Sequence, residues 1–276
     1  MPLQLTARED VIGRDCLGVD LSGIVPDRLR DTPAAEAARR PIRADGRACE
    51  LGDAFTVSGC CDDGRIEVRG DTTRVHHLAA GMQSGEVHVD GDVGRHAAQQ
   101  MEGGRLTILG SAADWLACGM QGGVVHVLGS AGDNTAAALP RHERGVNGGT
   151  VLIEGSAGRL AGARMRRGLL AIGGDCGEAA GYELWAGTIL VAGRLSPRAG
   201  AGMRRGSVIA LGPPPAIWPT FSRGSVWQPP ILPMLLNWTA RQGWQSPTVT
   251  ATGPWQHWHG DLLAGGRGEL FCRVTM

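Results

Sequence analysis

Near the end of the chain, the stretch WQHWHGD brings His257, His259 and Asp261 within five positions. Two imidazoles and a carboxylate are the groups that acid–base catalysis or metal ligation uses. Histidines two apart share one face of a strand, so the pair could address one substrate, or pack within a tryptophan-rich tail. Arginines form the second group: Arg164, Arg166 and Arg167 in RMRRG, then Arg204 and Arg205 in GMRRG. A guanidinium presents a fork of donors that fits carboxylate or phosphate, so these turns are either an anion or acidic-partner surface or a solvated rim. His142 and Glu143 have no second histidine in helical reach, and the sequence carries no H-E-x-x-H, G-x-S-x-G or strand-borne G-x-G-x-x-G motif.

Composition removes further chemistries. All 27 basic residues are arginine, and without lysine neither a Walker A loop nor a Schiff-base enzyme is possible. The 27 acidic residues balance them, which argues against a nucleic-acid-gripping protein. Seven cysteines, an odd number with no C-x-x-C pair and no signal-peptide pattern ahead of them, predict a reducing, cytoplasmic setting. No apolar run approaches the roughly 18 residues of a membrane helix.

The elements that must position these residues follow from spacing. Gly85, Gly104, Gly123, Gly149, Gly168, Gly187 and Gly206 are separated by 19, 19, 26, 19, 19 and 19 residues. Three positions before each stands an apolar residue, Met82, Met101, Met120, Val146, Met165, Leu184 or Met203, and six positions after each stands another glycine. The 26 is a 19 with a 7-residue insertion, within DNTAAALPRHER. Between the two glycines the second and fourth residues are apolar, as in Val87 and Val89 or Leu170 and Ile172, and this alternation predicts a strand with one buried face. Gly64 to Gly70, around Ile66 and Val68, reads as a leading unit.

A unit of 19 residues is too short for a strand and a crossover helix. The expectation is therefore an all-β chain, a parallel β-helix of about seven to eight 19-residue coils, with glycine at its corners. It would occupy residues 50–212, between an N-terminal segment, 1–49, and a C-terminal extension, 213–276, with one helix over PILPMLLNWTARQ and a stop at Gly243. His88 and His126 would then lie two coils apart, about 10 Å, which is awkward for one metal. No metal ligand or catalytic residue is assigned.

The outward side of the strands changes along the chain. Glu86, His88 and Asp90 suit water, whereas Leu152, Leu169, Leu190, Ile209 and Leu211 make an apolar face that needs cover. Cover comes from the helix at 230–242, from a partner protein, or from both. Lyase-type acidic clusters, the six-residue acyltransferase period and the aspartate of calcium-binding coils are all missing from this pattern.

The units G-M-x-x-G-x-ψ-x-ψ-x-G, with ψ apolar, resemble the glycine-rich repeats of the C-subunit family of formylmethanofuran dehydrogenase. Its relatives include a component of the bacterial formyltransferase/hydrolase complex and the C-terminal domain of large glutamate synthase subunits. ELGDAFTVSG at 50–59, the insertion, PTFSRG at 219–224 and the final WHGDLLAGGRGEL resemble the family's flanks. The resemblance implies a right-handed β-helix and a non-catalytic scaffold. Its partners would be a formyltransferase, an amidohydrolase-like hydrolase and a further subunit, with two copies of each among the arrangements allowed, and no nucleic acid or membrane. The complex would convert formyltetrahydromethanopterin to formate through a methanofuran analogue during formaldehyde oxidation. A lysine-free, arginine-rich composition suits a high-GC methylotroph and favours this branch over the molybdenum or tungsten dehydrogenase. Methanofurans carry polyglutamate tails, which Arg166, Arg167, Arg204 and Arg205 could hold, as they could an acidic partner. No cofactor is otherwise assigned to the chain. A stand-alone enzyme built on His257, His259 and Asp261 is the alternative from another class.

Overall fold

Alternating apolar residues between glycines leave each short segment one face to bury, and parallel pairing with the next segment satisfies both the face and the backbone. The computed structural model describes residues 1–13, 16–245 and 252–274. Its strands are β1 (Leu3–Ala7), β2 (Val19–Asp20), β3 (Pro41–Ala44), β4 (Arg47–Glu50), β5 (Phe55–Ser58), β6 (Arg65–Arg69), β7 (Val75–His76), β8 (Glu86–Val89) and β9 (Arg105–Ile108). They continue with β10 (Val124–Val127), β11 (Asn147–Ile153), β12 (Arg167–Ile172), β13 (Thr188–Val191), β14 (Ser207–Ala210), β15 (Ser222–Trp227), β16 (Trp255–His259) and β17 (Glu269–Arg273). Two single-turn helices, α1 (Ala34–Ala37) and α2 (Leu51–Ala54), precede the longer α3 (Ile231–Arg241).

Thirteen strands form one mixed sheet in the order β15-β16-β17-β14-β13-β12-β11-β10-β9-β8-β6-β1-β5, and β4-β3-β2-β7 form a second. This corrects the expectation of an all-β, right-handed parallel β-helix. β16 runs antiparallel to both β15 and β17 at one end, as β1 does to β5 at the other. The physical reason lies outside the glycine units. The flanking segments carry no 19-residue spacing, and they return along the sheet through connections that antiparallel neighbours accept.

In the parallel middle, Val87, Leu106, Val125, Val151, Leu170, Ile189 and Val208 are successive pairing partners, and Leu270 of β17 joins the end of that row. All are at most 2% exposed. Isolated bridges from Val93 through Ala112, Ala131, Ala157 and Cys176 to Leu195 stack the intervening turns as well. Gly104 shows why glycine stands before the strand. Its φ is +80°, and a Cβ there would meet the Gly85 carbonyl oxygen at 2.6 Å and the Met82 methyl at 3.1 Å. Each methionine thus fills the space that the next glycine leaves.

Candidate functional site

The turns before β12 and β14 bury Met165 and Met203 completely. Their backbones are pinned to the neighbouring turns: the Val146 carbonyl accepts from the Arg166 and Arg167 amides at 2.7 and 3.2 Å, and the Leu184 carbonyl accepts from the Arg204 amide at 2.7 Å. With the methionine inward and the backbone tied, the arginine side chains point outward. Trp185 comes from the turn between them, its amide held by the Met165 carbonyl at 2.9 Å. The loop at 260–268 lies on Met203 so closely that a Cβ on Gly260 or Gly268 would come within 2.5 Å of it. That loop delivers Arg267.

Arg166, Arg167, Arg204, Arg205 and Arg267 line a cavity of about 390 Å³ with Trp185 at its wall. Arg204 and Arg144 lie over the indole, 4.7 and 6.0 Å from its centroid. A neighbouring cavity of about 360 Å³ shares Trp185 and Arg204, and there Arg164 is neutralised by Glu183 at 2.7 Å. Among the described residues, none of the five arginines of the first cavity has an ion-pair partner. Five guanidiniums without a carboxylate have the chemistry to pair with an anion of several charged groups. Sequence reasoning reached four of them. Trp185 was within reach, since it stands 19 residues from both Arg166 and Arg204. Arg267 was not, because the tail lies outside the periodic spacing.

The five apolar outward residues are elsewhere. Leu152, Leu169, Leu190, Ile209 and Leu211 are between 0 and 7% exposed, in a cluster with Leu232 of α3, Trp244, Trp255 and Phe271. Phe271 sits beside Ile209 in the sheet, and the Trp244 indole donates to the Ile153 carbonyl at 3.1 Å. The chain itself supplies cover for these five, the first of the two sources that the sequence left open. The helix docks through polar contacts at its end. His126 lies 2.6 Å from Glu154, whose two oxygens each accept from the Gln245 amide at 3.0 Å, and Arg105 donates to Gln242 at 3.0 Å.

The tail cluster does not assemble as an acid–base unit. Asp261 accepts from the amides of Gly202 and Leu263, at 2.7 and 3.0 Å. His257 stacks on Phe271 and meets His259 edge to face, and burial, then the His259 charge, hold it below the ordinary histidine value against the pull of Glu269. Burial pushes the Cys118 and Cys176 thiols up to about 12, and burial with Asp63 pushes Cys61 up to about 11.

No family model matches the chain. The C-subunit of the formyltransferase/hydrolase complex, Fhc, of Methylorubrum extorquens is 34% identical over 77 residues, which are 28% of this chain. The matched segment spans only 29% of that relative. The crystal structure of the formyltransferase/hydrolase complex FhcABCD from Methylorubrum extorquens, in complex with methylofuran, contains a chain that matches throughout. The match covers 99% of this chain and 100% of that one, with 31% identity and a TM-score of 0.88. The chain belongs to the C-subunit family of the formyltransferase/hydrolase complex. Between the two branches weighed from sequence, the family is thus that of the formyltransferase/hydrolase complex rather than the molybdenum or tungsten dehydrogenase. Among the described residues, no helix of the chain is long and apolar enough to cross a membrane.

Proposed function

We propose that the chain is the non-catalytic scaffold of its complex, holding a formyltransferase and an amidohydrolase-like hydrolase, together with a further subunit, in one assembly. That assembly transfers the formyl group of formyltetrahydromethanopterin to a methanofuran analogue and hydrolyses the product to formate. The observation that carries this reading is the likeness along the whole chain to a chain of a complex that binds methylofuran. The packed, internally tied tail supports a structural part for the chain, since Asp261 is committed to backbone amides.

The arginine-lined cavity gives the scaffold a second task. Arg166, Arg167, Arg204 and Arg205, with Arg267, hold the anionic tail of the methanofuran analogue. A chain of carboxylates offers each guanidinium a bidentate partner, and the retained tail keeps the formyl carrier within reach of both catalytic partners. The arginines take no part in bond making. Replacing the four turn arginines with glutamine in the assembled complex tests this: the carrier retained through purification should fall more than tenfold while the set of co-purifying proteins stays intact. Unchanged retention would remove the tail-binding role.

A further inference from the structure

A second cavity, of about 380 Å³, opens toward the other end of the chain, where the four-stranded sheet meets the turn after β8. Its side chains are Asp20, Arg43, His76, His77, Arg95 and His96, with the backbones of Gly18 and Gly46 completing the wall. Gly46, in the turn between β3 and β4, has φ +76° and open space where a Cβ would stand. The cavity therefore communicates with solvent.

His76 is a structural member. Its Nδ1 accepts from the Arg95 amide at 3.0 Å, and a Cβ on Gly18 or Gly94 would lie within 2.5 Å of its ring. His77 and His96 differ. They stand 19 residues apart at equivalent turn positions with φ +55° and +63°, and their rings stack with centroids 5.0 Å apart. Trp115 continues the stack at 6.0 Å from His96. The Nδ1 atom of His96 is buried and has no hydrogen-bond partner among the described residues. That of His77 lies 3.1 Å from the Asp20 carboxylate, its counterpart within the chain. Both Nδ1 atoms are buried, so what these histidines present to the cavity is the remainder of their stacked rings.

Charge decides what kind of partner. Asp20 already accepts from the amide and hydroxyl of Ser22, at 2.8 and 2.6 Å. Asp45 accepts from the amides of Leu17 and Gly18, at 2.7 and 3.1 Å. Arg43 has no ion-pair partner among the described residues, and Arg95 reaches only Asp114, at 3.8 Å between exposed groups. Asp20 and Asp45 are engaged by their local loops and by His77, while Arg43 is left without a carboxylate and Arg95 has only its long contact to Asp114.

We propose that this cavity binds a small oxyanion of the carboxylate or phosphate type, gripped by Arg43 and Arg95 beside the stacked rings of His77 and His96. The site is separate from the arginine-lined cavity and owes nothing to the carrier reading. The test is a titration of the full chain, with histidine rings labelled with nitrogen-15, by acetate and by inorganic phosphate against sodium chloride at matched ionic strength. The His77 and His96 signals should move and saturate while those of His126 and His257 stay in place. R43Q should weaken the apparent affinity about tenfold, the loss of one charge-assisted group. R47Q, an exposed control on the adjoining strand, should leave it unchanged. The anion that saturates at the lower concentration, phosphate or acetate, identifies the ligand's acidic group. Shifts that stay linear, that chloride reproduces, or that R43Q does not alter would overturn the site.

Discussion

The guanidinium of Arg204 lies 4.7 Å from the centre of the Trp185 ring, so the indole face fixes one arginine of the cavity and forms the wall it shares with the neighbouring one. An arginine so placed keeps its donors free for an anion, because the ring attracts its charge without using its N–H groups. Trp185→Leu should lower retention of the methanofuran analogue by the complex several-fold, in line with the ~0.5–1 kcal/mol of an exposed cation–π contact, and leave the melting temperature within a few degrees. Mass spectrometry of carrier bound per complex checks it.

The cover of the apolar face makes a contrast between two residues. Leu190 is fully buried beneath α3, whereas Met234 on the helix is 66% exposed. Leu190→Ala should cost about 2–5 kcal/mol of stability, and Met234→Ala less than about 0.5 kcal/mol. Denaturant unfolding of the two variants measures both.

Glu154 holds the end of α3 by accepting from His126 and from the Gln245 amide. Glu154→Ala should cost about 2–3 kcal/mol, the range for losing charged hydrogen bonds at a half-buried site. Hydrogen exchange should rise in residues 239–245 first and leave β10 and β11 protected.

Acid should weaken the end of the chain that bears β7. Burial, and next the charge of His77, hold His76 and His96 below the ordinary histidine value of 6.5. As pH falls below about 6.5 the unfolded chain takes up protons that the folded chain refuses, so stability declines until pH passes the lowered folded values. His96→Asn, which accepts the positive φ, should flatten that decline. Thermal melts between pH 8 and 5 give the slopes.

The sequence made the local pieces readable and left the assembly hidden. Alternation at Val87 and Val89 marked β8, and the apolar face with the Gly243 stop marked a helix that spans Ile231–Arg241. The four arginines stood out because one spacing repeats them. The antiparallel ends and the four-stranded sheet had no such spacing, and β1 with β5 and β2 with β7 pair across long stretches of chain. Left-handed backbone at His77, Ala79 and Trp115 was equally silent, because no local preference puts those residues there. Neighbouring turns hold it instead, as the Arg95 carbonyl holds the His77 amide at 3.0 Å.

A scaffold within a formyltransferase/hydrolase complex should be needed for assembly and inert when alone. The most direct measurement is formate release from formyltetrahydromethanopterin by the affinity-purified native assembly and by the isolated chain. A formyltransferase and an amidohydrolase-like protein should co-purify with the tagged chain, the assembly should release formate, and the chain alone should release none. A chain recovered without those partners, or one that releases formate by itself, would contradict the scaffold role.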